Sequence, residues 1–175
     1  MARECGVGNT GTRRLSDFPT PGCQQMLCRM ETSSFEEIAR TLLHVTKSDR
    51  VTIRVQVPGL GFPVIAEAVS KGTRRIMGEP VGDLMSAPSV IAMVGSRRPL
   101  VQSDFGQVEA PPPAELMQRF GFRAQILVPI FAMENLAGIL SVHASNPRGW
   151  SPLHLCASEC TAELIGQLLG CGTVD

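Results

Sequence analysis

The polar and apolar positions of the chain fall into two kinds of repeat. Over residues 34–46, Phe35, Ile38, Ala39, Leu42 and Leu43 recur at the spacing of one helical face. Ser33 and Glu36 stand at the separation of a capping box, so the pattern predicts a helix that starts at about residue 34. The next run, "VTIRVQV", alternates strictly, with Val51, Ile53, Val55 and Val57 on one side and Thr52, Arg54 and Gln56 on the other. A period of two predicts a half-buried strand. "PGLGF" then turns the chain into a second strand at 63–70, "PVIAEAVS", which makes a hairpin.

From 71 to 122 the periodicity weakens. The residues predict a loop through Gly78 and Pro80, a short helix near 87–95, a strand at "PLVQS", and a helix at 112–120 opened by three prolines. Two long strands follow, "RAQILVPIFA" and "LAGILSVHA", joined at "MEN", where Asn135 suits the left-handed position of a three-residue hairpin loop. Ser151 and Pro152 supply the N-cap and first position of a last helix, which runs to about Gly170 with Leu153, Cys156, Cys160, Leu164 and Leu168 along its apolar stripe. Hairpins at both ends imply an α+β fold in α/β/α layers. Its mainly antiparallel sheet has about five or six strands, with the terminal helices on one face and loops and short helices covering a pocket on the other.

Strand parity separates the two sheet faces chemically. With a three-residue loop, Gln125 lies opposite His143 and Leu127 opposite Ser141, while Ile126, Val128, Ile130, Leu140 and Val142 share the other, apolar face that suits the helices. The first face also takes Thr52, Arg54 and Gln56 and, in one hairpin register, Glu67. Polar side chains converging from several strands are what a small-molecule pocket uses to orient a ligand. The alternative is a solvated face, or one whose polar groups satisfy each other.

Composition narrows the function classes. Basic and acidic residues both number 16, aromatic residues make up 5% of the chain, and there is no Tyr and one Trp, so neither a basic field nor a stacking platform for nucleic acid is present. No uncharged run reaches the roughly eighteen residues of a membrane span, and "MARECGVGNTGTRRLSDF" lacks the apolar core of a secretory signal, so the expected compartment is the cytoplasm, with reduced thiols. Residues 1–30, rich in Gly, Thr, Pro, Arg and Cys without periodicity, are expected to form a flexible tail, with Met26 or Met30 as an alternative start. None of the six Cys forms a C-x-x-C pair. Cys156 and Cys160 share a helical face that His154 does not, so they are expected to be small buried hydrophobes and no metal site is expected.

Two stretches, "FGFRAQILVPIFAMENLAGILSVHASNPRGWSP" and "RRPLVQSD", resemble GAF domains, a PAS-related sensor family. The resemblance spans about 34–170 and implies one GAF domain over 31–172. It implies terminal helices that pack behind the sheet and form a homodimer, and a small-molecule ligand held in front. The implied role is non-enzymatic sensing or regulation in signal transduction, with a dimerisation module of vestigial pocket as the alternative and a heme- or bilin-binding sensor as a further one. "AGILSVHASNPR" and "PVGDLMSAP" are similar, more weakly, to the bilin-binding GAF domains of phytochromes, which would set His143 and Asp83 against a tetrapyrrole. The chain departs from that pattern: it has no Tyr, and no Cys between residues 29 and 155 for a covalent linkage. The same gap separates it from GAF proteins that reduce free methionine sulfoxide, where a thiolate must reach the substrate. Heme-binding GAF domains are a further comparison through a His ligand, but His143 projects from a strand and His44 and His154 lie on the helices behind it. The expected ligand-contacting residues are therefore His143, Gln125, Ser141, Arg54 and Glu67, with Asp83 added by resemblance; no particular cofactor is implied.

Overall fold

Strict alternation starting at Arg50 gives the first strand, β1 (Arg50–Val55), and the "PVIAEAVS" run gives β2 (Val64–Val69). The computed structural model describes residues 21–79 and 83–171. Ahead of β1 lies α1 (Pro21–Thr46); after β2 come α2 (Pro88–Ser96), β3 (Leu100–Gln102), α3 (Ala114–Gln118), β4 (Ala124–Ala132), β5 (Asn135–Ala144) and α4 (Pro152–Cys171). The five strands form one sheet in the order β2-β1-β5-β4-β3, and every neighbouring pair is antiparallel. This is the expected α+β architecture. Among the described residues no helix is long and apolar enough to cross a membrane.

The helix expected at 34–46 begins earlier, at Pro21, and passes through Ser33, which therefore is not an N-cap. Residues 21–30 of the expected tail belong to α1, and residues 1–20 lie outside the described residues. Helix propensity explains the difference. Pro is pre-organised for the first helical position, and the stretch that follows is rich in Gln, Met, Leu, Arg and Glu, which favour helix without tracing an apolar face.

The β4–β5 turn also differs in detail. Its loop is two residues, Met133 and Glu134, because Asn135 already pairs with Ala132, and Met133 rather than Asn135 is left-handed, with φ of 54°. An irregularity follows, in which Phe131 faces Leu136 but Ile130 faces Gly138. The shorter loop and the extra residue cancel, so Gln125 still pairs with His143 and Leu127 with Ser141.

Behind the sheet, Val51, Ile53, Ala66, Ile126, Val128, Ile130, Leu140 and Val142 meet Phe35, Ala39 and Leu42 of α1 and Ala162 and Ile165 of α4 in one buried cluster. The side of α4 that faces this core is not the stripe its large side chains suggest. Leu153, Leu164 and Leu168 are exposed, as are Cys156 and Cys160, so these thiols are not buried hydrophobes. Ser158, Ala162 and Gly166 face inward instead, flanked by Ile165 and by the partly buried Leu155 and Leu169. Small residues let the helix lie close to β4: a Cβ on Gly166 would sit 2.2 Å from the Phe131 carbonyl oxygen. Ser151 caps the helix as expected. His154 N–H donates to Ser151 Oγ, and Ser151 N–H donates to His154 Nδ1, each at 3.3 Å.

In front, α2 places Val90 and Met93 on Leu127 and Ile139, while Ile76, Phe105, Leu116, Phe120 and Phe122 form a second small core. The segment without clear periodicity thus covers the polar sheet face. Because the obstacle at Gly166 is backbone, Gly166→Ala should lower stability by about 1–3 kcal/mol through overpacking. Gly170→Ala, whose Cβ meets nothing within 4 Å, should be close to neutral; urea denaturation of the two variants checks this.

Candidate functional site

The front face is polar along a diagonal of three central strands, as period-two geometry requires. On β1 it carries Arg50, Thr52 and Arg54; cross-strand pairing sets Arg50 beside His143 and Thr52 between Ser141 and Glu67; His143 in turn pairs with Gln125, and Gln125 with Gln102 of β3. All of these residues are buried, Arg50 and Thr52 completely. Gln56, expected on this face, lies beyond the end of β1 and is exposed.

Glu67 and Arg50 form an ion pair, Oε1 to Nε 3.1 Å, with both side chains out of solvent. Glu67 also accepts from the backbone N–H groups of Ile76 at 2.8 Å and Met77 at 3.2 Å, while Arg50 Nη2 donates to the carbonyl of Arg74. The pair therefore fastens the start of the covering segment to the sheet. Phe122 lies against the same group. Its ring stacks on His143 at 4.1 Å and 5°, and the Arg50 guanidinium carbon is 4.2 Å from its centroid. Loss of solvent pulls the Arg50 pKa down to about 10 against the opposing fields of Glu67 and Asp49. Arg54 is likewise pulled down to about 10 by loss of solvent, opposed by Glu67. Both remain cationic at neutral pH.

Burial first, then the positive charges of Arg50 and Arg54, hold the His143 pKa well below the ordinary histidine range. Its imidazole is neutral near pH 7, one nitrogen a donor and the other an acceptor. Neither has a hydrogen-bond partner, and Thr52 Oγ1, Ser89 Oγ, Gln125 Oε1 and Arg50 Nη1 are also buried without one. Gln125 uses only its amide, donating to Gln102 Oε1 at 2.6 Å. His143, Thr52, Gln125 and Ser89 line one cavity together with Ser141 and Arg54. Its space for water centres is about 10 Å³, the room of roughly one water. Each unmet buried polar group typically costs about 1–3 kcal/mol, so polar atoms placed in this space would be stabilised by several at once.

Of the residues singled out from sequence, the fold brings His143, Gln125, Ser141 and Arg54 to this cavity and puts Glu67 beside it, its oxygens committed to Arg50 and the covering backbone. Asp83 stands apart. It is exposed, accepts from Met85 N–H at 3.1 Å to cap the 84–86 turn, and borders an outer groove rather than the inner cavity. Arg50, Ser89, Gln102 and Phe122 were missed. Arg50 was readable, because the alternation of Thr52 and Arg54 extends one step back to it; the other three depend on strand register and on how the covering segment folds. Among the described residues no three His, Cys, Asp or Glu side chains group to hold a metal ion.

The GAF domain family matches residues 32–169, and the chain belongs to it. No curated protein matches the chain. Among solved structures, the blue-light absorbing form of the Thermosynechococcus elongatus PixJ GAF domain has 18% identity and a TM-score of 0.67 over 82% of this chain and 89% of its own. The photoproduct state of GAF3 from Slr1393 of Synechocystis has 19% identity and a TM-score of 0.66, covering 86% and 95%. The chromophore-binding domain of a bacteriophytochrome from R. palustris has 17% identity and a TM-score of 0.64, covering 88% and 63%. At these identities the likeness is one of fold.

The neutrality of His143 has a consequence for stability. The unfolded chain protonates this residue near pH 6.5, whereas the folded one resists, so its contribution is intact above that pH and is lost as pH falls below it. Between pH 6.5 and 5, unfolding free energy should drop by up to about 1.4 kcal/mol per pH unit on this account. His154, also shifted down, adds a smaller part. Urea titrations across this range should show the slope reduced in His143→Gln.

Proposed function

We propose that the chain is a non-enzymatic sensory or regulatory GAF domain in signal transduction, which binds a small molecule on its front face, with polar atoms reaching the inner cavity and the body in the groove beside it, and passes the change to its terminal helices. The observation that carries this reading is the set of unpartnered polar atoms of His143, Thr52, Gln125 and Ser89 around one enclosed space. A route to the helices accompanies it. Asp49, three residues beyond α1, accepts from Ser145 N–H at 2.7 Å just after β5, and Arg148 donates to the carbonyls of Thr46 at 3.2 Å and Lys47 at 2.9 Å. Strands β1 and β5 thus carry ligand-facing residues in front and are tied at their ends to α1. The light-absorbing relatives suggest a chromophore, but the residues here do not fit a tetrapyrrole. No Cys lies between residues 29 and 155 to form a covalent linkage. Native mass spectrometry of protein from its natural source should find a retained small molecule that denaturation releases; the bare polypeptide mass in both spectra contradicts the reading.

A second reading, homodimerisation through the terminal helices, is favoured by the exposed apolar stripe on α4. Leu153, Leu164 and Leu168 are 66%, 46% and 47% exposed, and Val45 of α1 is 43% exposed near a groove between the two helices. The seam is this stripe, and not Leu155, Ile165 and Leu169, which belong to the core. Light scattering at high micromolar concentration should give a dimer for the wild type and a folded monomer for Leu164→Glu combined with Leu168→Glu. A monomeric wild type contradicts the reading.

A further inference from the structure

We propose that Arg54 binds the anionic group of an apolar organic acid, whose carbon skeleton lies in the groove outside the cavity; the proposal rests on the ligand-binding reading and names the class of ligand. Arg54 is 7% exposed and makes one hydrogen bond, from Nη1 to the Phe62 carbonyl at 2.8 Å. Among the described residues no carboxylate lies within ion-pair distance of it, since the short contacts of Glu67 go to Arg50, Arg75, Ile76 and Met77. Asp49 acts on Arg50 and does not reach Arg54. The front face therefore buries two guanidiniums against one carboxylate. A buried charge without a partner is unfavourable, and an incoming anion offsets that penalty.

The surroundings of Arg54 select the rest of the molecule. The side chain lines both the inner cavity and an outer groove of about 580 Å³, whose walls include Leu60, Phe62, Val64, Leu84 and Met85. That volume is in the usual range of small-molecule sites, about 300–1,000 Å³. Leu60 is 74% exposed and Met85 37%, an apolar surface that a hydrocarbon body would cover. The acidic residues at the rim are already engaged. Glu79 pairs with Arg119 at 2.6 Å and Arg74 at 3.5 Å, and Asp83 caps its own turn. A carboxylate at Arg54 would also stand next to the unpartnered hydroxyls of Thr52 and Ser89 in the inner cavity, which can donate to its second oxygen.

The test uses the full chain and four probes, hexanoate and benzoate against hexanamide and benzamide, read by calorimetric titration. The acids should bind and the amides should bind at least tenfold more weakly. Arg54→Gln should weaken acid binding at least tenfold, and Arg54→Lys should recover part of it. Leu60→Asp, at an exposed rim position, should weaken the acids by like-charge repulsion without affecting folding by circular dichroism. Equal binding of acid and amide, no binding of either acid, or acid binding unchanged in Leu60→Asp and Arg54→Gln would overturn the proposal. A neutral molecule recovered by native mass spectrometry would overturn it while leaving the sensory reading in place.

Discussion

A guanidinium and a carboxylate buried side by side in the sheet, Arg50 and Glu67, govern how the front of the molecule is arranged. Taking both out of water costs several kcal/mol per ion, and their attraction offsets this only if the remaining hydrogen-bonding positions are filled. The segment at 74–77 fills several of them with the Arg74 carbonyl and the Ile76 and Met77 amides, while Arg50 Nη1 keeps no partner. The pair is thus the fastening by which an otherwise weakly patterned cover docks on the sheet. Phe122, held against Arg50, in turn fixes the plane of His143. Removal of either partner would leave a lone buried charge, a loss of about 3–5 kcal/mol.

The contrast between this tethered corner and its neighbours is what the proposed site rests on. Within a few strand positions one charged pair is joined to the cover, while polar atoms of His143, Thr52, Gln125 and Ser89 lack partners and Arg54 has no counter-ion among the described residues. The other side of the same strands is wholly apolar and packs on α1 and α4. A shift of these strands would therefore have little room to be absorbed, particularly at β4, where Gly166 of α4 touches the Phe131 backbone. Asp49 and Arg148 join the ends of these strands to the end of α1.

Strands were legible because parity needs only a period of two. Parity places Gln125, Ser141, His143 and Arg54 on one face even though the β4–β5 loop is one residue shorter than the pattern predicts, since the irregularity beside Ile130 compensates. Helices were harder. The large residues of α4 trace an exposed stripe, whereas the contact face is chosen by smallness at Ser158, Ala162 and Gly166. The start of α1 was missed because propensity, and not an apolar repeat, extends it to Pro21. Least legible was the cover: nothing in the local pattern of 71–122 says that Ile76 and Met77 would present their amides to Glu67, or that Phe122 would stack on His143. Hence the face of the site could be read in advance, but not its lid.

The central claim is that the unmet polar groups of the front face belong to a ligand. A high-resolution crystal structure of protein purified from its natural source tests it most directly. The expected result is continuous non-protein density with atoms within about 3.2 Å of a His143 ring nitrogen and of the Arg54 guanidinium. Side chains of His143, Thr52 and Gln125 turned onto one another, or ordered waters alone between them, would contradict it.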